Sequence, residues 1–149
     1  MRKTLSIVSA ALLLTSAPAW CADATLSPVG LWKTIDDKTG QPRGLVRVYE
    51  QDGRYFGRIE RGLVPGEEGR KCTACTDERK DHPIVGLVLM RNVKLDNGEY
   101  AGGDILDPNT GSVYRCSFKL EEGGTTLVVR GYVGVSLFGR TQKWLREPG

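Results

Sequence analysis

The chain has 149 residues, 21 Lys and Arg against 18 Asp and Glu, and a single His. That length suits one domain, and 40% apolar with 26% charged residues is an ordinary globular composition, which excludes wholesale disorder. The formal charge of +3 is too small and too scattered for a nucleic-acid binder, and one His excludes any metal site built on several imidazoles. Nineteen glycines and no long helical pattern lean toward an all-β domain.

The first stretch reads as an address. Met1-Arg2-Lys3 gives a positive start, Leu5 to Leu14 is apolar apart from two serines, and small residues with Pro18 follow. This is the order of a secretory signal peptide. The apolar run is too short for a transmembrane helix, which needs about 20 residues. Residues 1–24 are therefore expected to be a signal peptide cleaved after Ala22-Asp23-Ala24, with Ala17-Pro18-Ala19 as the alternative site. A lipid anchor on Cys21 is disfavoured by the bulky Trp20 before it. Residues 25–149 remain as one domain with no second membrane span and three cysteines, in an oxidising compartment.

The rest is a row of short strands and turns. Gly30 to Ile35 is the first strand. Leu45 to Gln51 and Arg54 to Glu60 flank Asp52-Gly53, a two-residue hairpin signal. After a long loop, Ile84 to Val93 is apolar and partly β-branched. Asn97-Gly98 opens another hairpin into Glu99 to Asp107. The turn Asp107-Pro108-Asn109-Thr110-Gly111 leads to Ser112–Leu120, and strands over 125–133 and 139–146 follow. Gly102-Gly103 is read as a bulge.

Short connections require antiparallel neighbours, and about eight such strands predict a single antiparallel barrel closed on itself. In Ser112–Leu120 the alternation puts Tyr114, Cys116, Phe118 and Leu120 on one face. Tyr55, Gly57 and Ile59 share a face, as do Leu127, Val129 and Gly131. Tyr55, Tyr114 and Phe118 are the candidate ligand contacts of the barrel interior, although periodicity does not separate a hollow barrel from a filled one.

Cys72-Thr73-Ala74-Cys75 is a C-x-x-C in a charged loop. A redox pair would need a βαβ setting, and covalent haem would need His where Thr76 stands. Zinc on Cys72, Cys75 and His82 lacks a fourth ligand other than Cys116, whose strand face argues for burial. A Cys72–Cys75 disulfide stapling the loop is the favoured reading, with pairing of either residue to Cys116 as the alternative. No metal, cofactor or catalytic set is expected. His82 reads as solvated surface, and Gly134-Val135-Ser136-Leu137-Phe138-Gly139 misses the G-x-S-x-G spacing of a nucleophile elbow.

Gly30-Leu31-Trp32 at the head of the first strand resembles the lipocalin signature, in which a basic residue of the last strand lies across the Trp ring. Here the last strand offers Arg140 and Arg146, and Arg140, on the face of Gln142 and Trp144, is the expected partner of Trp32 in closing the barrel. Longer motifs carry a second resemblance. They are Gly102-Gly103-x-Ile105-Leu106-Asp107-Pro108-x-x-Gly111-x-x-Tyr114-x-Cys116 and Val129-Arg130-Gly131-Tyr132-x-Gly134-x-Ser136-x-x-Gly139-Arg140-Thr141-Gln142-x-Trp144. With Gly30-x-Trp32-x-Thr34 and Cys72-x-x-Cys75, they resemble a small exported bacterial family known only as a domain of unknown function, number 2147. The resemblance implies a lipocalin-like (calycin) barrel in the Gram-negative envelope, here the periplasm, and no established activity.

The function expected is binding of a small, largely apolar ligand inside the barrel. The alternative is an envelope interaction protein whose filled barrel acts through its surface or the 61–83 loop. An enzyme using the cysteines or the Arg140 and Gln142 pair is the least favoured reading, and no nucleic-acid partner is expected.

Overall fold

The computed structural model describes residues 26–135 and 137–149, so the expected signal peptide lies outside the described residues. Eight strands occur among them: β1 (Gly30–Ile35), β2 (Pro42–Gln51), β3 (Arg54–Gly62), β4 (Val88–Asp96), β5 (Glu99–Leu106), β6 (Val113–Glu121), β7 (Thr126–Tyr132) and β8 (Gly139–Glu147). Each pairs antiparallel with the next, and β8 returns to β1, which closes the barrel. Closure leaves no sheet edge, the usual liability of an antiparallel meander.

The turn chemistry explains the order. Asp52-Gly53 and Asn97-Gly98 carry positive φ at both central positions, as the tight hairpin turns after β2 and β4 require. Gly102 has φ +79, and the β5–β6 register shifts between Tyr100 and Gly103. A Cβ on Gly103 would lie 2.3 Å from the Arg91 carbonyl oxygen, so β4 and β5 approach there as only glycine permits. The apolar run from Ile84 is not wholly strand. Gly86 at φ +94 turns the chain, and β4 begins at Val88.

The strands alternate an apolar inner face with a charged outer one. Trp32, Val46, Val48, Met90, Phe118 and Leu127 are buried inside, whereas Lys33–Glu147 and Arg47–Glu60 ion pairs lie outside. That pattern is the reverse of a membrane-spanning barrel, which turns its apolar face to lipid. No helix among the described residues is long and apolar enough to cross a membrane.

Strand direction gives the barrel two unlike ends. The tight turns after β2, β4 and β6, with the segment before β1, gather at one end, called closed below. The connections after β1, β3, β5 and β7 gather at the other, and the longest of them, residues 63–87, joins β3 to β4.

Candidate functional site

At the closed end Trp32 is fully buried, and its indole N–H donates to the Pro28 carbonyl at 2.8 Å. The Arg146 guanidinium lies over the ring, 4.2 Å from its centroid. Arg146 also donates to three carbonyls, Gly124 at 2.7 Å, Ser27 at 2.7 Å and Val29 at 3.1 Å, and so ties the β6–β7 turn to the segment before β1. Gly30 is glycine for the same reason. Its φ is +147, and a Cβ there would lie 2.7 Å from Arg146 Nη1.

The closing residue is therefore Arg146 and not Arg140. Antiparallel pairing sets the start of β1 against the end of β8, and Trp32 is the direct partner of Arg146. Arg140 stands at the other end of β8, where its Nε donates to Asp37 Oδ2 at 3.1 Å and its Nη2 to Oδ1. This hydrogen-bonded pairing holds the Asp37 carboxyl below its ordinary range.

Above the base, aromatic rings fill the closed half. Tyr100 stacks on Phe118 with centroids 4.6 Å apart, and Tyr55 meets Tyr100 edge-on at 5.1 Å and Phe118 at 6.3 Å. Burial, with Tyr100 and Glu50 nearby, pushes the Tyr55 hydroxyl up to about 12. Tyr55 opens β3 and Phe118 lies toward the end of β6, which places both on the closed side. These two expected ligand contacts pack against each other, outside the lining of the cavity; Tyr114, near the start of β6, lies in that lining.

The open half is hollow. A cavity of about 350 Å³ runs in from the mouth, with Val46, Ile59, Leu89, Ile105, Val129 and Trp144 among its walls. The Trp144 indole N–H donates to the Gln142 side-chain oxygen at 3.3 Å, so the buried ring leaves no polar atom unpaired. Gly131 also lines it, and a Cβ there would meet Ile105 Cγ2 at 3.3 Å.

The rim is polar and its charges are largely paired. Arg70 donates to Glu67 at 2.7 Å and to Asn109 at 2.9 Å, Arg43 stands 3.8 Å from the same Glu67, and Arg140 holds Asp37. Backbone N–H groups of Thr39 and Lys38 donate to Asp36 and lower its carboxyl. Among the described residues the lining contains no Ser, Cys or His. An apolar chamber behind a paired polar rim can take an apolar molecule from water.

The long loop that forms one side of the mouth is built from its own contacts. Cys72 and Cys75 form a disulfide, with both sulfurs buried. Cys116 is free and buried under the β6 strand, and burial pushes its thiol up to about 12. Arg79 is buried; it clamps the Asp77 carboxylate through Nε and Nη2 and donates to the Val88 carbonyl at 3.2 Å. The Arg79 bonds hold the Asp77 carboxyl down to about 2. Among the described residues no group of His, Cys, Asp and Glu could hold a metal ion, and His82 is exposed in the loop.

Most cavity walls were readable only as an apolar face. Ile59 and Val129 belong to alternating runs, but nothing in the spacing separates them from the packed residues below. Trp144 gave a better signal, being a large ring two residues beyond Gln142 on the inner face of β8.

Comparison with known proteins agrees with this architecture. The barrel is similar to protein HP1028 from the human pathogen Helicobacter pylori, described as belonging to the lipocalin family. The two align with a TM-score of 0.72 at 17% identity, over 83% of this chain and 85% of that one. No curated protein matches the sequence significantly. The family model described as "Uncharacterized protein conserved in bacteria (DUF2147)" matches residues 30–146, from the glycine under Arg146 to Arg146 itself, and the chain belongs to that family.

Proposed function

We propose that the protein binds one small, largely apolar molecule in the open-end cavity, and that it does so in the periplasm after export of residues 25–149. The observation that carries this reading is the division of the interior. The closed half is packed by Tyr55, Tyr100 and Phe118, while the open half keeps about 350 Å³ behind mainly apolar walls. A cavity of this size lies within the ordinary range for small-molecule sites, roughly 300–1,000 Å³. Tyr114 and Trp144 supply the aromatic wall, and the paired rim charges exclude little of an uncharged guest. Export is supported by the signal pattern of residues 1–24 and by the Cys72–Cys75 disulfide.

The test is a titration with N-phenyl-1-naphthylamine, an uncharged fluorophore that brightens in apolar surroundings. The expected result is saturable binding of one dye per chain, with quenching of Trp144. Ile59→Trp, which places an indole in the cavity, should weaken binding at least about tenfold while leaving the melting temperature within a few degrees. Unchanged dye affinity in a folded Ile59→Trp protein would remove the cavity as the binding site.

A further inference from the structure

The β7–β8 connection is the most exposed apolar segment among the described residues. Val133, Val135, Leu137 and Phe138 are 64, 61, 78 and 69% exposed. The loop is a built one: Val133 N–H donates to the Phe138 carbonyl at 3.1 Å, and Arg130 Nη2 donates to the Leu137 carbonyl at 3.2 Å. Four large apolar side chains on one hairpin tip, where polar residues would close the turn equally well, mark an interaction surface.

The outer wall beneath the tip identifies its partner. Cross-strand pairing on β6, β7 and β8 sets out rows on the outward face. The row nearest the loop is Arg115–Tyr132–Gly139, the next is Ser117–Arg130–Thr141, and the third is Lys119–Val128–Lys143. These three rows hold four cations and no carboxylate. The acids beside these rows are Glu121, one row further down and paired with Lys119, and Asp104 on β5, the cross-strand partner of Arg115 and bonded to Arg91. At the mouth itself Asp37 is held by Arg140 and Glu67 by Arg70, while Asp36 and Asp107 line the rim. Tyr132 shares the first row with Arg115, and Arg130 reaches the tip itself through the Leu137 carbonyl. An apolar tip followed by a row of tyrosine and arginine and then by further cations matches the passage from acyl chains to an interface of anionic headgroups. At about 3.3 Å per residue, Arg115 and Arg130 sit within the headgroup layer when the tip is buried, and the two lysines lie just outside it.

We propose that this end of the barrel docks on a bilayer containing anionic phospholipid, with Val133, Val135, Leu137 and Phe138 inserted, Arg115 and Arg130 among the headgroups, and Lys119 and Lys143 close enough to be attracted by their charge. A second copy of the chain fits the surface less well, because it would set one basic wall beside another. Val133 and Phe138 also line the cavity mouth, so docking presents the mouth to the membrane. The proposal goes beyond the ligand-binding reading and stands without it.

Vesicle flotation tests it, using the protein as cells process the full chain. The wild type should float with vesicles of phosphatidylglycerol and phosphatidylcholine, release at high salt, and stay down with phosphatidylcholine alone. Leu137→Asp with Phe138→Asp should weaken flotation at least about tenfold, and so should Arg115→Glu with Lys143→Glu, each at an unchanged melting temperature. The second pair lies on strands and keeps the test decisive where the loop variant fails to fold. Failure of the wild type to float with anionic vesicles overturns the proposal, as does undiminished flotation of the folded variants. A dimer in sedimentation that Leu137→Asp dissolves, without vesicle binding, overturns it in favour of a second copy.

Discussion

Arg146→Ala should lower the melting temperature by roughly 10 °C, and Arg140→Ala by no more than about 3 °C. The two arginines lie on the same face of one strand, six residues apart, so the difference isolates what each touches. Arg146 spans the indole of Trp32 and three backbone carbonyls from two separate segments. A guanidinium over indole contributes about 0.5–2 kcal/mol, and hydrogen bonds to a charged donor about 1.5–3 kcal/mol each when shielded. Two of the three bonds are exposed, so about 3 kcal/mol in all is the expected loss. Arg140 holds only an exposed ion pair with Asp37, worth about 0–1 kcal/mol. Thermal melting by circular dichroism, with Trp32 emission as the second readout, separates the two. Equal losses would show that the base is not closed by the Arg146 stack.

The second large effect is expected at Gly111→Ala, at about 3 kcal/mol or more. Gly111 ends the β5–β6 turn with φ +74, and a Cβ there would lie 1.9 Å from the Ala74 carbonyl oxygen and 2.4 Å from its carbon. The obstacle is backbone inside the Cys72–Cys75 ring, which the disulfide prevents from moving aside. Cys72 Sγ lies 3.7 Å from the Pro108 carbonyl oxygen, so loop and turn also meet through the sulfur. The substitution should lift the stapled segment from the rim and open residues 61–83 to proteases. Gly40→Ala is the control, since Gly40 has φ +70 but nothing within 4 Å of its added Cβ, and only backbone strain of about 1 kcal/mol applies. If the two substitutions cost the same, the loop is not held by the turn.

The barrel itself was legible in the sequence, because its signals are local. Asp52-Gly53 and Asn97-Gly98 demand tight turns whatever lies around them, and the alternation from Tyr114 to Leu120 survives in the buried Cys116 and Phe118. The Cys72–Cys75 disulfide was legible for the same reason, since three residues of chain bring the sulfurs together. What failed was the position of residues along the barrel axis. Period-two alternation assigns a face but no height, so Arg140 and Arg146 looked alike, as did Phe118 and Tyr114. Height follows from strand direction: the start of β1 meets the end of β8, and Tyr55 and Phe118 fall on the closed side by the same counting. The cavity was not legible, because it is the space left once Tyr100 has stacked on Phe118, and that stacking is a long-range event.

The central claim is that the open half of the barrel holds a guest. Native mass spectrometry of the protein purified from its own host tests it most directly. The account predicts a one-to-one adduct of a small, largely apolar molecule on the wild type, lost in Ile59→Trp, whose indole occupies the same space. A bare mass for the wild type under conditions that retain the fold, or an adduct that Ile59→Trp keeps, would contradict it.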